Sequence, residues 1–467
     1  MTIRAAGILA AHQLLRAGIA GIATFSVAWL AALAPPAGAQ LASVVPNPVV
    51  TGPIPGVMPG DPSHDYPFFA TDVDLASRGY LEEEFFFEGV AAGAVYRTRM
   101  VVRRPVSPLS FNGTVIVEWY NVTNNYDSEV DWLRAHEHLL RSGYAWVGVS
   151  AQSVGVNDPS YGLKVWSPAR YGSLAISDDR QSFDIYSQAI QALRRPVGVD
   201  PMSGLRIERV IATGASQSAI FLGAYYNSVQ AAHRMVDAFA LIVWSIGVNT
   251  EAVRTPVLMI LSETDVYEAS GLAGHFPAPR QPNTDLFRRW EVAGASHSDF
   301  QMHRFRRPLQ IRDLGIDLGP NGEALGCTLP LFSRIPFHYV MSAGYDALAR
   351  WVMDGTPPPI GPDIAFSGTE IARDEHGNSL GGIRLSQHEV ATATNTGQNA
   401  GPGLCPIRGS YVPFDDATLQ ALYPTHGDYI DRVTAVTDQT VQAGFVLPPD
   451  ADETIADAKR AKVPPRP

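Results

Sequence analysis

From Gly113 onward the chain alternates short, nearly continuous apolar runs with longer stretches whose apolar residues recur at helical spacing. The runs "GTVIVEWYN", "YAWVGVSA", "RIERVIATGA", "DAFALIVWS", "PVLMILS" and "RRWEVAG" have the character of strands in a parallel sheet covered on both faces. Between them, "DSEVDWLRAHEHLLRSG" and "SFDIYSQAIQALRRP" predict amphipathic crossover helices. The first has Asp127 or Ser128 as its N-cap and closes on Gly143; the second stops at Pro196. Ahead of this alternation, "GYLEEEFFFEGVA" and "YRTRMVVRRP" carry the aromatic and β-branched content of two strands separated by a Gly-containing turn, and predict an antiparallel pair. Strands alternating with helices predict an α/β fold, with a mostly parallel central sheet and helices on both faces.

The same pattern divides the chain. Residues 1–39 read as an export signal: Arg4 and Arg16 supply the positive region, "AGIAGIATFSVAWLAALA" the apolar run, and Ala37-Gly38-Ala39 a small-residue cleavage site. An uncleaved membrane anchor is the alternative, and no other segment has the length to span a bilayer. Residues 40–65, rich in Pro and Gly, predict an extended N-terminal arm, and residues 66–356 the core. The helix "PFHYVMSAGYDALARWVMDG" and the stop at Pro357 to Pro359 set off a C-terminal extension over 357–467. The connection from Trp244 to Pro256 is too short to hold a lid. Cover is therefore expected from Ser153 to Asp179, from Phe300 to Pro336 and from the extension.

Composition narrows the partners. Apolar residues make up 46% and charged residues 17%, which is globular, and the net charge of −11 argues against nucleic acid or an anionic membrane as the partner. A small molecule is the expected one. Cys327 and Cys405 are the only cysteines, and in an exported chain they are expected to form a disulfide; two buried thiols are the plainer alternative.

Candidate chemistry gathers at three points. In "RVIATGASQSAI", Ser216 lies where a predicted strand turns into a predicted helix, the placement of a G-x-S-x-G nucleophile elbow with Ser218 in place of the last glycine. Alone, such a short pattern is as well explained by a serine capping a core helix. In "RRWEVAGASHSDF", His297 follows the last predicted strand and lies at the sheet's carboxyl edge, where it is a candidate base. In "TPVLMILSETDVY", Asp265 is the first choice for the acid that orients the histidine and Glu263 the alternative; a solvated acidic loop is the plainer reading. The chain order Ser216, Asp265, His297 is that of α/β hydrolases, not of the chymotrypsin or subtilisin types.

Fold logic gives the oxyanion donors: the backbone N–H of Gln217, and a second from the loop at Asn121 and Val122, which lacks the HGGG form. Asn121-Val122-Thr123 also matches a glycosylation acceptor, in a poor position for a glycan. His136 and His138 are two apart on a helix and face different ways, and His303 with His297 and Asp299 matches no strong ligand spacing. No metal is expected.

These stretches resemble the secreted "alpha/beta hydrolase domain" family of bacteria. The carriers are "GTVIVEWYNV", "GYAWVGVSAQ", "FDIYSQAIQAL", "VIATGASQSA", "SETDV", "RRWEVAGASHSD", "GGIRLSQHEVATAT" and "LYPTHGDYI", over most of Tyr80 to Asp457. The resemblance implies an α/β-hydrolase fold, a G-x-S-Q-S elbow in which Ser218 follows the family pattern, Ser216 as nucleophile, His297 as base and an acid within "SETDV". It implies no substrate.

The expectation is a secreted or periplasmic serine esterase working through an acyl-enzyme on Ser216, with no cofactor and a small-molecule ester as substrate. Tyr161, Trp166 and Tyr171 in the candidate lid favour an apolar or aromatic substrate group, unless they pack the core. A peptidase or amidase with the same residues, and a non-catalytic binding protein on the same scaffold, are the rivals.

Overall fold

A nine-stranded sheet organises the chain in the computed structural model, which describes residues 44–464 except residue 273. The proposed signal and residues 40–43 lie outside the described residues. In chain order the strands are β1 (Val49–Thr51), β2 (Tyr80–Ala91), β3 (Ala94–Pro105), β4 (Thr114–Trp119), β5 (Ala145–Val149), β6 (Arg209–Ala215), β7 (Ala238–Ile242), β8 (Val257–Ser262) and β9 (Phe287–Val292). Across the sheet they run β1-β2-β3-β5-β4-β6-β7-β8-β9. Pairing is antiparallel from β1 through β3 to β5 and parallel from there to β9. Every residue of β4, β5, β7, β8 and β9 is buried, because helices cover both faces.

The principal helices are α1 (Val130–Arg141), α2 (Ser182–Arg194), α3 (Gln217–Tyr225), α4 (Phe300–Leu314), α5 (Phe337–Asp354), α6 (His426–Gln442) and α7 (Pro448–Arg460). The start of α1 differs from the expectation. Its N-cap is Glu129, not Asp127 or Ser128, because the Asp127 carboxylate accepts from the buried Arg99 guanidinium at 3.1 Å and from Ser150 Oγ at 2.6 Å. At the other end Gly143 is required: its φ is +76°, and a Cβ there would lie 2.4 Å from the Ser110 carbonyl oxygen.

The N-terminal arm contributes β1, which pairs at the edge of the sheet with Phe86, Phe87 and Glu88 of β2. The extension is built from short pieces. They include the hairpins β10 (Phe366–Ser367) with β11 (Glu370–Ile371) and β12 (Ala393–Thr396) with β13 (Ser410–Pro413), besides α6 and α7. Its anchors to the core are polar as well as apolar. Ile383 adds to the β9 edge, donating to the Glu291 carbonyl at 2.7 Å and accepting from Ala293 N–H at 3.1 Å. Asp450 of α7 pairs with Arg141 of α1 at 2.7 Å. A disulfide joins Cys327 to Cys405. No helix among the described residues is long and apolar enough to cross a membrane.

Residues 153–179 form short helical turns whose aromatic side chains are spent on packing. Tyr171 is fully buried and donates to Glu84 at 2.8 Å; Trp166 stacks on His64 at 4.6 Å and donates to the Asp313 carbonyl at 2.8 Å. Trp166 and Tyr171 therefore say nothing of the substrate. Tyr161 is half-buried against Tyr126.

Candidate active site

β6 passes into α3 through a single residue, Ser216, held at φ 60°, ψ −122°. A non-glycine residue in that conformation costs about 1–3 kcal/mol and persists only where its surroundings enforce it. Three features do so. Ser216 N–H donates to the Ile242 carbonyl of the neighbouring strand at 2.9 Å. Gly214 lets α3 approach β6, since a Cβ there would lie 2.9 Å from Leu222 and 3.1 Å from the Ser218 main chain. The Ser218 hydroxyl accepts from Ala215 N–H at 3.0 Å and donates to the Ala215 carbonyl at 2.8 Å. Ser218 thus closes the elbow with bonds that glycine could not make.

His297 and Asp265 reach Ser216 from the loops after β9 and β8. His297 Nε2 lies 2.9 Å from Ser216 Oγ, and His297 Nδ1 lies 2.6 Å from Asp265 Oδ1. Asp265 is buried and caps its own turn: Ser262, at the N-cap, donates to Oδ2 through its hydroxyl and through its N–H at 3.2 Å. Ser270, reached by a turn in which Ala269 and Ser270 both have positive φ, donates to Oδ1 at 2.7 Å. Burial works to raise the Asp265 carboxyl, but contact with His297 and the hydroxyls of Ser262 and Ser270 outweigh it and hold it below its ordinary value. The His297 main chain is fixed too. Its N–H donates to Thr264 Oγ1 at 3.1 Å, and its carbonyl accepts from Arg134 Nη2 at 2.6 Å; Arg134 also pairs with Asp299.

Glu263 is equally buried but points elsewhere. Its carboxylate accepts from Gly294 N–H at 2.8 Å, from Gly397 N–H at 3.1 Å and from Arg373 Nη2 at 2.8 Å. It joins the β8 turn to the extension and does not reach His297.

The loop after β4 lies against the elbow. The Asn121 backbone N–H donates to the Ser128 carbonyl at 3.0 Å and its side-chain amide donates to the Ala215 carbonyl at 2.9 Å, which ties this loop to the end of β6. The burial of Asn121 leaves no room for a glycan. Val122 N–H is the donor that faces the elbow residues, and it donates to Gln217 Oε1 at 3.3 Å. Gln217 is the first residue of α3, where a backbone N–H has no partner within its own helix. Its side chain continues to Gln152 at 2.8 Å, which Trp119 also engages at 3.0 Å.

Residue-by-residue reasoning missed Arg134, Gln152, Ser262 and Ser270. Only Ser262 left a signal: Ser262-x-x-Asp265 is the spacing of a capping box, which selects Asp265 over Glu263 as the side chain turned back toward the strand end. The competing histidines have structural surroundings. His136 Nδ1 is 3.1 Å from the Trp132 carbonyl, His138 Nε2 is 3.2 Å from Asp346, and His303 Nε2 is 2.9 Å from the Gly319 carbonyl. Among the described residues no group of three or more His, Cys, Asp or Glu is arranged to hold a metal ion.

A serine on a strand–helix elbow, bonded in series to a histidine and an aspartate at the carboxyl edge of a mostly parallel sheet, puts the protein in the hydrolase class of α/β proteins. Residues 50–456 match the family described as "Alpha/beta hydrolase domain", and the chain belongs to it. No curated protein sequence matches the chain.

Among solved structures, the chain is similar to prolyl endopeptidases at 14% identity, over 47% of this chain and 36% of that one, with a TM-score of 0.28. It is similar to esterase Est22 at 11% identity, over 40% and 66%, with a TM-score of 0.26. A cold-adapted esterase from an Arctic intertidal metagenomic library gives 13% identity, over 41% and 74%, with a TM-score of 0.24. Likenesses this slight carry no argument about activity.

Proposed function

We propose that the protein is an exported serine hydrolase that cleaves carboxylic esters through an acyl-enzyme on Ser216. The observation that carries this reading is the unbroken relay from Ser216 Oγ to His297 Nε2 at 2.9 Å and from His297 Nδ1 to Asp265 at 2.6 Å, ending on a serine whose backbone is strained at the elbow. Nδ1 bonded to a carboxylate carries the ring proton there, which leaves Nε2 free to accept the hydroxyl proton.

His297 takes the Ser216 proton as Oγ bonds to the ester carbonyl carbon. The carbonyl electron pair moves to oxygen, where the N–H groups of Gln217 and Val122 are the donors. Collapse breaks the bond to the alcohol oxygen, which leaves with the proton from His297. Water then attacks the acyl carbon, giving its proton to His297, and the acid departs as Ser216 is reprotonated. For Val122 N–H to serve, Gln217 Oε1 must release it, since the two are bonded at 3.3 Å in the free protein. The Cys327–Cys405 disulfide supports an oxidising compartment, outside the cytoplasm.

A fluorophosphonate probe tests the nucleophile. The mature protein is expected to be labelled, and Ser216→Ala to lose both the label and turnover on short-chain esters. Absence of label on the wild type, or label retained by Ser216→Ala, sinks the mechanism. Rates on matched acyl esters and amides test the leaving group: a peptidase or amidase would keep its rate on the amide.

A further inference from the structure

Two arginines, on segments that pack against the loops of the proposed site, are buried with no carboxylate paired to them. Arg306, on α4, is 5% exposed, and Arg408, in the turn that follows Cys405, is 7% exposed. Among the described residues neither guanidinium has an ion-pair partner, and Arg306 Nε and Arg408 Nη1 are buried without a hydrogen-bond partner. The sequence outside those residues holds no Asp or Glu that could supply one. Elsewhere on the same helix Arg307 pairs with Asp317 and Arg312 with Asp313, each at 2.7 Å.

Their location ties them to the proposed site. Ser298 N–H, one residue past His297, donates to the Ile407 carbonyl at 3.0 Å, and a Cβ on Gly409 would lie 2.5 Å from Ser296. Arg408 is thereby held against the loop that carries His297. Arg306 adjoins the other loop: Gln310, one turn further along α4, donates to Tyr126 at 2.9 Å, and Tyr126 belongs to the segment that presents Val122. The two arginines are also near each other. Burial, reinforced by the charge of Arg306 and opposed by Tyr126, pushes Arg408 down to about 9.

A guanidinium taken out of water without an acceptor carries a large desolvation cost, and two together add repulsion. Protein groups do not repay that cost here, so a ligand with anionic oxygens is the natural complement; guanidinium forks match a carboxylate in geometry as well as charge.

We propose that Arg306 and Arg408 form an anion subsite for a carboxylate carried by the ester substrate. This rests on the esterase reading and adds to it a substrate class: esters with a free carboxylate in place of fully capped, neutral ones.

The test compares kcat/KM for two matched pairs, monomethyl against dimethyl glutarate for a carboxylate on the acyl side, and acetoxyacetate against its methyl ester for one on the alcohol side. Wild type is expected to favour the anionic member of at least one pair by tenfold or more. Arg408→Gln and Arg306→Gln, each checked for folding by thermal unfolding, should reduce that ratio at least tenfold, and Arg408→Lys should restore part of it. No preference in either pair, or a preference that survives in a folded Gln variant, overturns the subsite. If Arg408→Gln does not fold, Arg306→Gln and the wild-type ratio decide. Fluorophosphonate labelling of the same samples separates the two failures. Labelled protein without anion preference loses the subsite and keeps the esterase; unlabelled protein loses the esterase reading itself.

Discussion

Two carboxylates, Glu263 and Asp265, are buried in one turn at the end of β8, and their hydrogen bonds divide the work between them. Asp265 faces His297, while Glu263 binds Gly294, Gly397 and Arg373. Asp265→Asn is expected to lower kcat by about 10⁴-fold, since an amide no longer holds the imidazole in the tautomer that accepts the Ser216 proton. Glu263→Gln should cost far less turnover and about 1–3 kcal/mol of stability, through lost charge-assisted bonds to the extension. Kinetics and denaturant unfolding on both variants check this, and a larger loss of kcat for Glu263→Gln would reverse the roles. The pH dependence follows from the same turn. The folded Asp265 carboxyl lies below its ordinary value of 3.8, so its contribution to stability is complete above that value and is lost as pH falls through the folded one. Unfolding midpoints should therefore drop more steeply below about pH 4 in wild type than in Asp265→Asn.

The elbow depends on how β6 and α3 meet, and Ser218 is the hinge of that junction. Its hydroxyl bonds both polar groups of Ala215, so Ser218→Gly, which recreates the common G-x-S-x-G form, is expected to destabilise the fold by about 1–2 kcal/mol in spite of added room. Denaturant unfolding measures this directly, and a variant as stable as wild type would make the hydroxyl dispensable. The elbow, the β2–β3 pair and the six strands from β4 to β9 were legible in the sequence, because burial on both faces forces continuous apolar runs and the turns between them carry Gly and polar residues. Other elements were not. β1 has three residues inside a Pro-rich arm, too few for any period to show. The hairpins of the extension are equally short and are held by side-chain bonds to main chain, such as Glu263 to Gly397. Asp127 has the local sequence of a helix cap, but its partner, Arg99, comes from a distant strand that no local pattern reveals. Arg306 and Arg408 gave no signal for a related reason: what distinguishes them is a missing partner, visible only once the neighbours are placed.

At the scale of the whole molecule, the extension is a structural part of the hydrolase core. Ile383 continues the sheet beyond β9, Trp290 of β9 donates to the Pro359 carbonyl at 2.8 Å, and Gly397 is bonded to both Glu263 and Thr264 in the turn that carries Asp265. The disulfide draws Cys405 to Cys327 across a separation of 78 residues, which in the chain-entropy account removes about 4 kcal/mol of freedom from the unfolded chain. It also anchors the turn in which Ile407 meets Ser298. Removing residues 357–467 would strip the β9 edge of its partner, leave the buried Glu263 without Arg373 and Gly397, and expose Trp290. An unpaired edge strand beside bared apolar surface is an aggregation site. Residues 40–356 produced alone are therefore expected to be insoluble, and any refolded fraction to escape fluorophosphonate labelling because the Asp265 turn is no longer braced. Size-exclusion chromatography with labelling provides the readout. A monodisperse, labelled 40–356 fragment would show that the core folds alone and that the extension only covers it.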